Sequence, residues 1–144
     1  GIKKIYVGKN LDEAAKQLIK VIVRLFILGV KPVIWYSQVG SQGASLVDPD
    51  GKPIEETTRA FEVVARFLGR PGWSVQQDAS VAPLVKLVFS YSDQEVSVLW
   101  TESENTQSLI EVPNRCDAYN YQNEPHKGKE ISVSTAPVFI VCNL

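Results

Sequence analysis

The spacing of apolar residues changes near Trp73, and no other feature constrains the fold of this chain so strongly. Before that point, apolar residues recur at helical spacing in two segments, and a short run of strand type precedes each of them. After it, short segments alternate apolar and polar residues and are separated by polar turns, which is the pattern of antiparallel strands. We therefore predict a β-α-β-α part over residues 1–70 and an all-β part over residues 71–144.

The first part is predicted to alternate two strands with two helices. Residues 2–7 and 31–37 have the composition of strands, and the second run is apolar enough to be covered on both faces, as in a parallel sheet. The first helix is predicted to end near Leu28, because Gly29 comes directly after it. The second helix is predicted over residues 53–68.

The second part is predicted to form an antiparallel sheet or sandwich. Its segments of strand type are residues 84–91, 95–101, 108–112, 131–133 and 138–142. Because Trp100 alternates with Val96 and Val98, it shares their face and is predicted to lie in the core. Tyr119 and Tyr121 lie in a polar stretch, and we expect them to be more exposed.

The composition argues against several classes of function. The 144 residues carry a formal net charge of −1 without a basic stripe, so no nucleic-acid partner is expected. The most apolar window, residues 18–30, is short for a membrane span and contains Lys20 and Arg24, so no membrane partner is expected. Two cysteines cannot form a zinc cage of cysteines and His126 stands in a polar stretch, so neither a metal site nor a cofactor is predicted.

Cys116 and Cys142 are the only cysteines, and the sequence leaves two states open for them. They are either free buried thiols or the two ends of one internal disulfide. A bridge would fit an oxidising compartment, outside the cell or in its envelope. No other feature of the sequence indicates a location.

The order of these elements resembles the last βα units of the (β/α)8 barrel, and the accompanying β-sandwich, of clan A-type glycoside hydrolases. The second strand ends in Trp35 and Tyr36, and the loop after it runs into the turn LVDPDGKP (residues 46–53), which commonly precedes the last helix in that family. Residues 96–101 and 136–140 are similar to strands of the family's sandwich. A turn in that sandwich often ends in Gly, whereas Asn120 stands there in this chain.

The resemblance implies α/β architecture and then an all-β domain: terminal β-α-β-α units of a TIM-type barrel, then an antiparallel β-sandwich. Barrel enzymes build their sites at the C-terminal ends of the strands, so Trp35 and Tyr36 would lie at a sugar-binding rim. One aromatic ring would stack on a sugar and Gln38 would hydrogen-bond a hydroxyl group. Because neighbouring strand residues point to opposite sides, at most one of the two rings faces the barrel interior.

The catalytic carboxylates are expected to lie outside this chain, so no catalytic residue is assigned. Glycoside hydrolysis needs two of them, about 5 to 10 Å apart. In the family they come after the fourth and seventh strands, but residues 7–10 read VGKN, without a glutamate. Asp12 and Glu13 fall in the first turn of a helix, where their favourable interaction with the helix dipole accounts for them.

The sequence supports two hypotheses for the function. In the first, the chain is the C-terminal portion or a subunit of a glycoside hydrolase and contributes part of the sugar-binding rim. Its partners are then carbohydrate and either the remainder of a barrel on another chain or further copies of itself, because two barrel units would leave the apolar helix 18–28 open unless it packs on the sandwich. The alternative is a non-catalytic carbohydrate-binding module or a structural, assembly module.

Overall fold

The computed structural model describes residues 9–30 and 46–144, so the predicted strands 2–7 and 31–37 lie outside the described residues. Two helices come first, α1 (Lys9–Ile27) and α2 (Glu55–Leu68). The strands come next, with one short 3-10 helix (Ala79–Val81) between the first two. They are β1 (Ser74–Gln77), β2 (Leu84–Ser90), β3 (Gln94–Thr101), β4 (Ser108–Glu111), β5 (Cys116–Asn120), β6 (Pro125–His126), β7 (Glu130–Val133) and β8 (Val138–Asn143).

The described strands form a six-stranded sheet in the order β1-β2-β3-β8-β5-β6 and a two-stranded sheet of β4 and β7. Neighbouring strands are antiparallel throughout, which confirms the predicted antiparallel sheet. The sequence pattern missed β1, β5 and β6, because these strands have two to five residues and few large apolar side chains. The result is a domain that mixes helices with a mainly antiparallel sheet.

Two apolar clusters divide this domain into three layers. The first cluster joins both helices to one face of the six-stranded sheet, and the second joins the opposite face to the two-stranded sheet. The largest fully buried side chains of the first cluster are Leu18, Ile19, Leu87, Phe89, Trp100 and Phe139. Trp100 is 0% exposed, so the core position predicted from its alternation with Val96 and Val98 is confirmed.

Helix α1 buries most of its apolar face inside the chain. Leu18, Ile19 and Val23 are almost completely buried in the cluster shared with α2 and the sheet. Of the two arrangements that the sequence left open for this helix, the described residues show packing on the sheet. Val21 and Leu28 stay on the outer side, 45% and 76% exposed. No helix of the described part is long and apolar enough to cross a membrane.

Gly29 ends α1 as predicted, and the last helical residue is Ile27, next to the expected Leu28. The φ of Gly29, +80°, is left-handed, and its N–H lies 3.0 Å from the carbonyl oxygen of Phe26. The N–H of Val30 donates to the carbonyl oxygen of Leu25 at 3.0 Å, which completes a Schellman motif.

The turn over residues 48–53 sets the entry into α2. Asp48 Oδ1 accepts hydrogen bonds from the N–H groups of Asp50 and Lys52, both at 2.9 Å. Gly51 has a φ of +79°, which a residue with a side chain adopts at a cost. The predicted turn is therefore confirmed, with the Asp48 carboxylate as its organising group.

The far end of α2 is fixed to the strand layer by side chains that cap its last carbonyl groups. Tyr91 Oη lies 3.1 Å from the carbonyl oxygens of both Phe67 and Arg70, so its single proton is shared between them. Trp73 Nε1 donates to the carbonyl oxygen of Leu68 at 3.2 Å. Carbonyl groups at a helix end have no partner within the helix, so these bonds satisfy them and hold α2 against the sheet.

Cys116 and Cys142 form a disulfide between β5 and β8, where they are directly opposite in the strand register. Their Cα atoms are 4.1 Å apart. The bridge thus joins the β5–β6 edge of the large sheet to its centre. Of the two states that the sequence left open, the structure contains the bridged one.

Replacing both Cys116 and Cys142 by alanine should lower the free energy of unfolding by about 3 kcal/mol, because the bridge restricts the unfolded chain. The two cysteines are separated by 26 residues in the sequence. Urea denaturation of the variant and of the oxidised chain measures the difference. Intact mass supplies the control, since the oxidised chain must be two hydrogens lighter than the reduced one; equal masses would contradict the bridge.

Candidate functional site

The sequence-predicted site residues Trp35, Tyr36 and Gln38 lie outside the described residues. Their position at a rim therefore stays a prediction. The structure does describe the next part of the chain, from Leu46 through the turn into α2. The end of the molecule at which α2 begins is consequently the place to look for further functional groups.

Both helices begin beside the turn between β5 and β6, residues 121–124. Tyr121 Oη donates a hydrogen bond to the Asp12 carboxylate in the first turns of α1. Gln122 Nε2 donates to the carbonyl oxygen of Glu56, in the first turn of α2, at 3.3 Å. We call this region, formed by the first turns of both helices and residues 121–124, the helix-start end.

Asn120 organises the β5–β6 turn. Its Oδ1 accepts hydrogen bonds from the N–H groups of Gln122 at 2.9 Å and Glu124 at 3.0 Å. Its Nδ2 donates to Glu124 Oε2 at 2.8 Å. The left-handed residue of this turn is Asn123, with a φ of 61°, so position 120 does not need the Gly that the resemblance implies. The asparagine instead supplies a side chain that makes the turn rigid.

Asp12 and Tyr121 form a structural contact at the helix-start end. Burial raises the pKa of Asp12, but the Tyr121 hydrogen bond and the Lys16 ammonium, 3.1 Å away, outweigh it and lower that pKa overall. Burial, with the bond to Asp12 next, raises the pKa of Tyr121. The carboxylate is therefore ionised and the phenol protonated near neutral pH, which suits a tie between α1 and the sheet and not acid–base catalysis.

The aromatic side chains of the described part are all buried or half-buried. Trp73 and Trp100 are 8% and 0% exposed. Tyr119, which we expected to be more exposed, packs with its ring centroid 4.8 Å from that of Phe67, and the Arg66 guanidinium lies 4.7 Å from the Tyr119 centroid. Residues 9–30 and 46–144 thus present no exposed aromatic strip for stacking on sugars.

Two concave regions differ in position and chemistry. The more polar of the two, about 300 Å³ in volume, lies at the helix-start end, beside the β5–β6 turn. An apolar one of about 480 Å³ lies between the later turns of α1 and α2, with Phe26, Phe61 and Trp73 among its lining residues. Within the described part, no three His, Cys, Asp or Glu side chains come close enough together to hold a metal ion.

No protein-family model and no curated protein sequence matches the chain. Solved structures do match its fold. One is a GH30 endoxylanase from Clostridium papyrosolvens C71, with a TM-score of 0.60 and 11% identity over 90% of this chain and 38% of that chain. Another is Xyn30A, a glycoside hydrolase family 30 subfamily 8 xylanase from Clostridium acetobutylicum, with a TM-score of 0.63 and 15% identity over 96% of this chain and 41% of that chain.

The chain therefore spans about two-fifths of the length of both xylanases. Its fold is like that of part of a glycoside hydrolase chain, so the resemblance found in the sequence is confirmed at this level. The TM-scores of 0.60 and 0.63 establish likeness of fold, and at identities of 11% and 15% this likeness does not extend to the activity of those enzymes.

Replacing Tyr121 by phenylalanine should lower the free energy of unfolding by roughly 1 kcal/mol at pH 7, because a charge-assisted hydrogen bond is lost. The Asp12 side chain is 45% exposed, so solvent screening keeps the effect small. A carboxyl group with a lowered pKa stabilises the folded state above its unfolded pKa, and this contribution disappears as the pH falls through the folded pKa. The difference from the native chain should thus shrink below about pH 4.

Chemical denaturation at several pH values measures this effect. Tyr91→Phe is the matched control, because the Tyr91 hydroxyl donates to two carbonyl groups that do not titrate. Its destabilisation should keep the same size over the same pH range. A Tyr121→Phe effect that does not change with pH would show that Asp12 is not the partner that matters.

Proposed function

We propose that this chain is the C-terminal portion or a subunit of a glycoside hydrolase, which contributes part of the sugar-binding rim and receives the catalytic carboxylates from outside itself. The observation that carries the proposal is the fold. The chain has two helices on one face of a six-stranded antiparallel sheet and a small sheet on the other face. This fold resembles parts of two GH30 xylanase chains, which make up 38% and 41% of their lengths. Residues 1–70 are then terminal barrel units, and residues 71–144 the accompanying β-sandwich.

The direction of the helices supports this proposal. In a (β/α)8 barrel each helix begins at the end where its preceding strand finishes, and barrel enzymes build their sites there. The β5–β6 turn contacts the first turns of both α1 and α2, so both helices begin at the same end. Trp35, Tyr36 and Gln38 precede α2 in the chain, and we propose that they line a sugar-binding rim at this helix-start end.

The apolar concave region supports a barrel completed from elsewhere. Its lining by Phe26 and Phe61, together with exposed Val21 and Leu28 on α1, leaves an apolar surface at the opposite end of the helices. Surfaces of this kind mark interaction sites. The remainder of a barrel, on another chain or another part of the gene product, would cover it.

The same surface favours the second candidate, a structural or assembly module that associates through α1 and α2. A carbohydrate-binding module that relies on an exposed aromatic strip is less well supported, because the described part has no such strip. Trp35 and Tyr36 therefore carry the expected contact with sugars in the first proposal.

The sugar-binding rim can be tested with xylohexaose, a neutral fragment of the polymer that xylanases cleave. Replacing Trp35 or Tyr36 by alanine should weaken binding about fivefold for the ring that stacks, since losing an aromatic contact costs about 1 kcal/mol. Isothermal titration measures the dissociation constants, and Gln38→Ala should have a smaller effect. Leu109→Ala is the control, because Leu109 is 65% exposed on the two-stranded sheet. Equal affinities for all four variants and the native chain would remove the rim assignment.

Light scattering after size exclusion tests how the apolar surface is covered. An assembly larger than the 16.0 kDa monomer is the expected result if the chain completes its fold with copies or a partner. A monodisperse monomer would favour a self-contained module. Release of reducing sugar from xylan by the purified chain alone would contradict the proposal that the carboxylates come from outside.

A further inference from the structure

The concave region at the helix-start end is lined by polar side chains that keep hydrogen-bonding capacity beyond the bonds they make within the described part of the chain. It lies between the β5–β6 hairpin on one side and the end of β7 with the start of β8 on the other. We call it the hairpin cleft. Its size, about 300 Å³, lies at the lower end of ligand pockets, which span roughly 300 to 1,000 Å³.

His126 offers an acceptor in the hairpin cleft. Its Nε2 lies 2.7 Å from the carbonyl oxygen of Glu130. A carbonyl oxygen only accepts hydrogen bonds, so Nε2 carries the proton. In the neutral ring the other nitrogen, Nδ1, is then an acceptor. The Glu124 carboxylate, held by Asn120 and 3.5 Å from Arg59, is a second acceptor with lone pairs to spare.

Two serine hydroxyl groups supply donors on the opposite wall. Ser134 Oγ accepts a hydrogen bond from the N–H of Ala136 at 3.2 Å, which leaves its own proton free to donate. Ser132 is exposed, and its hydroxyl group makes no hydrogen bond within the described part of the chain. The lining of the cleft thus offers both acceptors and donors.

The charges of the cleft select a neutral ligand. Its described lining contains neither Lys nor Arg, and its one carboxylate, on Glu124, would repel an anion. That carboxylate is already paired with Arg59, and the described residues include no metal-binding group of three. The Tyr121 ring and Pro137 add apolar surface between the polar groups. A ligand with both donors and acceptors and an apolar face fits this lining, and a sugar unit has all three.

We propose that the hairpin cleft is a saccharide-binding site, which holds one neutral sugar unit of a polysaccharide. Asn120 makes the wall rigid before binding, and such preorganisation reduces the entropy lost on binding. Tyr121 and Glu124 connect the cleft directly to Asp12 of α1 and Arg59 of α2. If the proposed function is right, the cleft extends the sugar-binding rim, and one polymer chain contacts both. The position of the cleft next to the rim rests on that function, whereas sugar binding in the cleft does not.

Binding of xylohexaose monitored by two-dimensional 1H–15N NMR on the full chain tests the proposal. We expect the amide signals of His126, Ser132 and Ser134 to shift on titration. The double replacement of His126 and Ser132 by alanine should weaken binding at the cleft at least fivefold. Both residues are exposed, so the spectrum of the variant should retain the native dispersion. Lys127→Ala is the matched control, since Lys127 is exposed in the same loop, outside the described lining.

The outcomes separate this site from the proposed function. Shifts in the cleft together with shifts at the Trp35 indole support both, and shifts in the cleft alone support the site while removing the rim. Shifts at Trp35 alone overturn the cleft and leave the rim. If xylohexaose leaves the spectrum unchanged, both the cleft and the rim are overturned for this sugar polymer. If the double variant binds xylohexaose as tightly as the Lys127→Ala control does, the cleft alone is overturned.

Discussion

The attachment of α2 to the strand layer is the constraint on which the rest of the structure depends. Tyr91 and Trp73 donate hydrogen bonds to the last carbonyl groups of the helix. The centroid of the Trp73 ring lies 5.1 Å from the ring centroid of Phe89 and 4.9 Å from that of Phe26 on α1. These contacts join both helices to the face of the sheet. Because α2 is held at its far end, its first turn meets the β5–β6 turn, and the helix-start end exists as a defined surface.

The sequence predicted those parts of the fold that depend on residues close together in the chain. Alternation placed Trp100 in the core, Gly29 marked the end of α1, and the Asp48 turn preceded α2. The packing of α1 on the sheet was left open, because burial of a helix on several sides does not say which partner covers it. Strand β5 was missed since its five residues include Asp117 and Asn120 and no large aliphatic side chain, although its register with β8 brings the two cysteines together.

The candidate site residues likewise differ in whether a local sequence motif could identify them. Trp35, Tyr36 and Gln38 were singled out by a motif, and they remain predictions because they lie outside the described residues. No sequence motif marks the residues that line the hairpin cleft. His126 stands in a polar stretch of the sequence and is exposed, but its hydrogen bond to Glu130 links β6 to β7 and so depends on residues that the sequence pattern does not bring together. The one local signal was Asn120 in place of a Gly, which marks a turn held by a side chain.

The two concave regions lie at opposite ends of the helices, so one can be covered while the other stays open. Helix α2 has 14 residues, so its ends are about 21 Å apart at 1.5 Å per residue. Phe61 and Trp73 line the apolar region, whereas Tyr121 and His126 line the hairpin cleft. No lining residue of the described part belongs to both regions. An association through the apolar region would therefore leave the hairpin cleft open, so the proposed completion of a barrel and the proposed binding of sugar are compatible in one molecule.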